Sequence, residues 1–114
     1  MSRDEVAYLI DMMVASRKAR KYVDGMNYRQ FRESDLHQSA VLKQVEIVGE
    51  AASHISSDTR HTHQEIPWHQ IIGLRNRLVH AYYDIVLDTL WRAVQDELPI
   101  LITQLEPLVP PEDD

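Results

Sequence analysis

Apolar residues recur at three- and four-residue intervals along nearly the whole chain, a period that helices satisfy and strands do not. Val6, Leu9, Ile10, Met13 and Val14 form one face of a first helix, predicted from about Asp4 to Asp24, with Gly25 as its stop. Asn27 and Gln30 stand at capping-box spacing and predict a short helix over Tyr28 to Glu33. Ser34 or Asp35 can cap a third helix, whose apolar face comprises Leu36, Ala40, Val41, Val45, Val48, Ala52 and Ile55. Ser57 to Gln64 is polar and aperiodic and reads as a loop. Pro67 suits the first turn of a fourth helix, with Trp68, Ile71, Ile72, Leu74 and Leu78 inside and an end near Ala81. Tyr82 to Asp84 reads as a break. Asp88 is placed to cap a fifth helix carrying Leu90, Trp91, Val94, Leu98, Leu101, Ile102 and Leu105, which Pro99 must bend or interrupt. Gly49 and Ser53 form a small pair on the third helix that lets another backbone come close, inside one subunit or across a dimer seam.

Composition narrows the class further. A chain of 114 residues makes one domain, and at that size oligomerisation commonly supplements the core. Residues 1–107 form the helical domain, and 108–114 form an acidic, proline-rich tail. With 44% hydrophobic and 26% charged residues the chain is not disordered in character. The absence of cysteine removes disulfides, zinc–thiolate sites and thiol catalysis, and three glycines are too few for a Gly-rich phosphate loop. Charge-free stretches are too short to span a bilayer, and Met1 to Glu5 leads into no apolar secretion segment, so a cytoplasmic protein without membrane contact is expected. The net charge of -6 disfavours a nucleic-acid partner, yet it is unevenly spread. From residue 81 onward eight acids meet Arg92 alone, whereas Arg17, Lys18, Arg20, Lys21, Arg29 and Arg32 face only Asp24. Those cations make either a basic patch or an ordinary solvated helix face.

Six histidines are candidates for chemistry. His61 and His63 share a polar stretch without a third ligand of suitable spacing, so no metal site is expected. His37 and His54 lie on the third helix with no obvious partners, and His69 lies in the first turn of the fourth. His80 differs because Arg75, Asn76, Arg77, Tyr82 and Tyr83 crowd around it at one helix end. Asn76 and His80, four apart, share a face, whereas Arg75 and His80, five apart, diverge by about 140° and flank a groove. A two-fold dimer pairing this helix with its mate would bring two arginines and two histidines into one cleft. The same residues also fit a plain helix terminus, with His80 and Arg77 answering the macrodipole and Arg75 paired with an acid. Arginine matches phosphate with permanently charged forked donors, and histidine exchanges protons near neutral pH. RNA supplies its own nucleophile, the 2′-hydroxyl. A base and a cation on the scissile phosphate therefore suffice for cleavage without a metal.

The segment Arg75-Asn76-Arg77-Leu78-Val79-His80 followed by Tyr82 resembles the defining motif of the HepT-like branch of the HEPN proteins, the toxin halves of HepT/MNT toxin–antitoxin pairs. Val45 to Ala51, Ile66-Pro67-Trp68 and Asp84 to Trp91 are similar to the family as well, so the likeness runs from about Asp4 to Pro107. The resemblance implies an all-α HEPN-type bundle of about five helices and a two-fold dimer with both motifs facing a shared cleft. It implies an endoribonuclease toxin of type II or type VII-like systems that uses no metal or cofactor. By this resemblance Arg75 holds the scissile phosphate, His80 acts as general base or acid and Asn76 orients one of them. Arg77, Arg17, Lys18 and Lys21 are then candidate RNA contacts. The implied partner is a minimal nucleotidyltransferase antitoxin that transfers AMP to Tyr82. A different class of function uses the same residues: a non-catalytic subunit in which Arg75 and His80 bind a nucleotide for such a transferase.

Overall fold

The computed structural model of the chain describes residues 1–80 and 83–111, and the side chains of all of these except 79, 80 and 83–86. Among the described residues there are helices and turns and no strand, and none of the helices is long and apolar enough to cross a membrane.

The first helix, α1 (Arg3–Tyr22), begins where the Ser2 hydroxyl accepts the Glu5 amide at 3.1 Å and ends before Gly25, whose φ of 77° only glycine adopts freely. It buries Leu9, Met12, Met13, Ala15, Ser16 and Ala19. The predicted capping box is present in α2 (Tyr28–Arg32), with Asn27 Oδ1 and Gln30 Oε1 each accepting the other's amide at 2.9 Å. Five residues cannot sustain a helix alone. Burial of Phe31 holds this one, a contribution of roughly 1.5–3 kcal/mol. Its ring packs on Trp91 at 5.1 Å. Ser34 caps α3 (Asp35–Ser53), and Gln38 on that helix donates to the Phe31 and Arg32 carbonyls at 2.9 Å.

The stretch from Ser57 to Gln64 is not a plain loop: it contains α4 (Ser57–Thr62). No apolar stripe marks this helix. Ser56 caps it by accepting the Thr59 amide, and the Glu5 carboxylate of α1 accepts from the Ser56 amide at 2.5 Å and the Thr59 hydroxyl at 2.9 Å. Next comes α5 (Trp68–His80), with Pro67 just ahead of it and the Pro67 carbonyl accepting the Ile71 amide at 3.0 Å. Its expected end at Ala81 lies outside the described residues, as do the terminal acids 112–114.

Asp88 does not cap the last long helix. The helix α6 (Tyr83–Arg92) starts earlier, and Asp88 sits inside it, 3.0 Å from Arg92 Nη2 one turn on. A π-helical turn, Ala93–Glu97, joins it to α7 (Leu98–Leu105) and a terminal 3-10 turn, Glu106–Leu108. The expected effect of Pro99 appears here. The Leu98 amide bonds Ala93 O, five residues back, and the amide due at Val94 O would come from Pro99, which has none. Arg20 of α1 supplies it instead, donating from Nη1 to Val94 O at 3.2 Å and Gln95 Oε1 at 3.1 Å.

In the assembled bundle α1 packs along α3, α3 carries α5, and α7 lies back on α1. Tyr8, early in α1, stacks on His54, just past the end of α3, so these two helices run antiparallel. Gly49 is buried where α3 meets α5. A Cβ built there would collide with the Arg75 stem, with Cγ at 2.8 Å. This member of the small-residue pair is thus used for packing within the subunit, while Ser53 is exposed.

Candidate active site at the end of α5

Leu74 and Leu78 anchor α5 in the core and set the direction of everything between them. Arg75 comes next on the helix and lies at the core's edge. Its stem crosses Gly49, and its side chain is 38% exposed, enough to be reached from solvent. Arg75 Nη2 lies 3.2 Å from Glu50 Oε2, and Nη1 donates to Asn76 Oδ1 at 3.4 Å. The sequence-based alternative of an arginine paired with an acid is therefore realised, with Glu50 as the acid.

Glu50 is shared. Its second oxygen lies 3.2 Å from His54 Nε2, and the His54 ring stacks on Tyr8 with centroids 4.6 Å apart and planes 12° from parallel. His54 therefore has two partners where the sequence suggested none, and His37 has one, its Nδ1 lying 2.6 Å from Ser34 Oγ. The Arg75 head borders an open pocket of about 350 Å³ between α1, α3 and α5, shared with Tyr8, Lys43, Glu46, Glu50 and His54. Sequence reasoning missed Glu50, His54 and Tyr8. The i, i+4 spacing of Glu50 and His54 was the available signal for one contact, and nothing local indicated the others.

The remaining predicted site residues are dispersed. Arg77 is exposed and, two positions on, points about 200° round the helix from Arg75. It borders an apolar groove of about 490 Å³ with Leu74, Glu97 and Leu101. Lys18 and Lys21 are exposed on the second half of α1, about 15–20 Å along the axis from Tyr8. Arg17 lines a separate hollow with Glu106, Val109, Pro110 and Pro111. Of the other cations in that basic stretch, Arg20 is committed to Val94, Arg29 lies 3.5 Å from Glu33, and Arg32 lies 5.9 Å over the Tyr28 ring. His80 is the last residue of α5, in register one turn beyond Asn76, and its side chain lies outside the described residues. Tyr82 also lies outside them.

A partly exposed guanidinium, approached by Glu50 and Asn76, is suited to holding an oxyanion, and the histidine position five residues on lies about 140° round the same helix. Comparison with known proteins points the same way. The chain is 32% identical over 108 residues to "Probable ribonuclease HepT" of Thermococcus cleftensis, covering 95% of this chain and 98% of that one. It is 31% identical over 104 residues to "Putative RNase MJ1380" of Methanocaldococcus jannaschii, covering 91% and 95%. No solved structure matches it significantly. The family model described as ribonuclease HepT-like matches residues 12–108, nearly all of the helical bundle, and the chain belongs to that family.

Proposed function

We propose that this chain is the toxin of a HepT/MNT-type toxin–antitoxin pair, cleaving RNA without a metal ion in a cleft formed by two copies of α5. One imidazole nitrogen of His80 removes the 2′-hydroxyl proton. The 2′ oxygen attacks the adjacent phosphorus, the bond from phosphorus to the 5′ oxygen breaks, and that oxygen leaves with a proton from an imidazolium. The products are a 2′,3′-cyclic phosphate and a 5′-hydroxyl end. Arg75 binds the non-bridging oxygens, whose charge grows as the pentacoordinate phosphorus forms. Asn76, already bonded to Arg75 Nη1, keeps that head from rotating. Arg77, Arg17, Lys18 and Lys21 contact phosphates away from the scissile bond, which suits their distance from the pocket.

The observation that carries this reading is Arg75: half-exposed, tethered, and in motif register with His80 in a chain of the HepT-like ribonuclease family. Regulation follows from the same register. A nucleotidyltransferase antitoxin joins the Tyr82 hydroxyl to the α-phosphorus of ATP and releases pyrophosphate. The resulting adenylate places negative charge two residues from His80 and repels an incoming RNA phosphate.

The test is cleavage of RNA by the purified chain in EDTA, with the new ends analysed. The expected result is cyclic phosphate ends, lost in both Arg75→Ala and His80→Ala. RNA left intact by the wild-type chain would sink the proposal, and activity that disappears with EDTA and returns with Mg²⁺ would remove its metal-free part. Intact RNA together with ATP binding that Arg75→Ala abolishes would instead identify a nucleotide-binding subunit.

A further inference from the structure

Arg75 is held by a structure that reaches well beyond its own helix. Its stem lies across Gly49, where any larger residue would displace it, and its head meets the next residue of α3, Glu50. Glu50 is in turn fixed from its other side by His54, whose ring rests on Tyr8 of α1. Three helices thus converge on one guanidinium. Such a head has five N–H donors in a rigid fork. Glu50 and Asn76 approach one terminal nitrogen each, so donors remain for a phosphate while the plane of the fork is set.

We infer that Glu50 is a positioning residue of the ribonuclease: it does not touch RNA but orients Arg75 toward the scissile phosphate, with His54 and Tyr8 bracing it. This role rests on the nuclease reading above. The opposing physical effect is that a carboxylate beside the guanidinium competes with phosphate for the same donors and weakens RNA binding. The two effects have opposite signs. If orientation dominates, removing Glu50 slows turnover. If competition dominates, removing it tightens binding and speeds the reaction.

The experiment compares wild type, Glu50→Ala, Glu50→Asp, Arg75→Ala and the Glu50→Ala/Arg75→Ala double variant in steady-state cleavage, alongside NMR of the Arg75 guanidinium protons without RNA. Glu50 is exposed, so its replacement leaves the core intact, which a melting curve checks. Orientation predicts that Glu50→Ala lowers kcat by on the order of 10- to 100-fold with little change in KM. It also predicts partial rescue by Glu50→Asp, no further loss in the double variant, and faster guanidinium rotation. An unchanged or increased kcat in Glu50→Ala, in an enzyme that Arg75→Ala inactivates, overturns the positioning role and leaves the nuclease reading standing. A wild-type chain that cannot cleave RNA overturns both.

Discussion

Glu5 shows how much one side chain can organise. It lies in the first turn of α1, where a carboxylate already favours the helix dipole, yet its oxygens are engaged 51 and 54 residues away by Ser56 and Thr59 at the start of α4. Hydrogen bonds from Ser56, and then from Thr59, hold its pKa down from 4.5 to about 2, against the opposing effect of burial. A carboxyl group depressed in the folded state stabilises above its unfolded pKa, and that stabilisation fades as pH falls toward the folded one. The chain is therefore expected to lose stability between about pH 4.5 and pH 2 through this group. Glu5→Gln melts lower at neutral pH, and its deficit shrinks as the solution is acidified across that window. Parallel melting curves for the two proteins, with a deficit that stays constant down to pH 2, would show that the Glu5 charge is not the cause. None of this was legible locally, because the sequence marks Glu5 as a helix-start acid and its partners lie half the chain away. Glu50 was hidden for the same reason: its step to His54 is local, but its contact with Arg75 exists only once α5 packs on α3.

Elements marked by a hydrophobic period or by a complete local cap were readable, and the one held by polar contacts from a distant helix was not. The apolar stripes located α1, α3 and α5, and the capping box located α2. The short helix α4 escaped because serine, threonine and glutamate specify it, and α6 was started too late because Asp88 resembles a cap but pairs with Arg92. Two contacts between elements are open to measurement. At Gly49, alanine should gain about 1 kcal/mol in helix propensity, whereas overpacking costs about 1–3 kcal/mol. The atoms it meets are the root of the Arg75 side chain, which cannot yield without moving α5, so the cost wins. Gly49→Ala should lower stability in urea and reduce RNA cleavage with it, and a stabilised Gly49→Ala would show that the helices separate easily. At the π-helical turn, Arg20→Ala strips the donor from Val94 O and should cost about 1–3 kcal/mol. Pro99→Ala restores an amide that can serve that carbonyl, so the Arg20 loss should shrink in its background. A double-mutant cycle with additive losses would mean that the arginine answers something other than the proline's missing N–H.

At the scale of the whole molecule, one copy of the chain presents Arg75 and the His80 position on different sides of α5, about 140° apart on an ideal helix. That divergence is why the proposed nuclease requires a pair of chains. In the proposed dimer a phosphate held by Arg75 is turned away from the following histidine of the same helix, and a two-fold mate facing it would contribute the missing group. Both groups belong to the part of the chain before residue 81, which holds eleven of the twelve lysines and arginines against ten of the eighteen acids. The helical pattern of a sequence describes how a chain covers its own core and carries no comparable code for a symmetry axis, so the pairing has to be tested by function. Mixing Arg75→Ala with His80→Ala, each inactive alone, produces heterodimers in which one protomer retains the arginine and the other the histidine. If the cleft is shared, unfolding and refolding the two together should restore cleavage to a measurable fraction of wild type, with the gain following the heterodimer fraction seen by native mass spectrometry. If each chain carries a self-contained site, every protomer in the mixture still lacks one essential group. Activity then stays at the level of the parents however many heterodimers form.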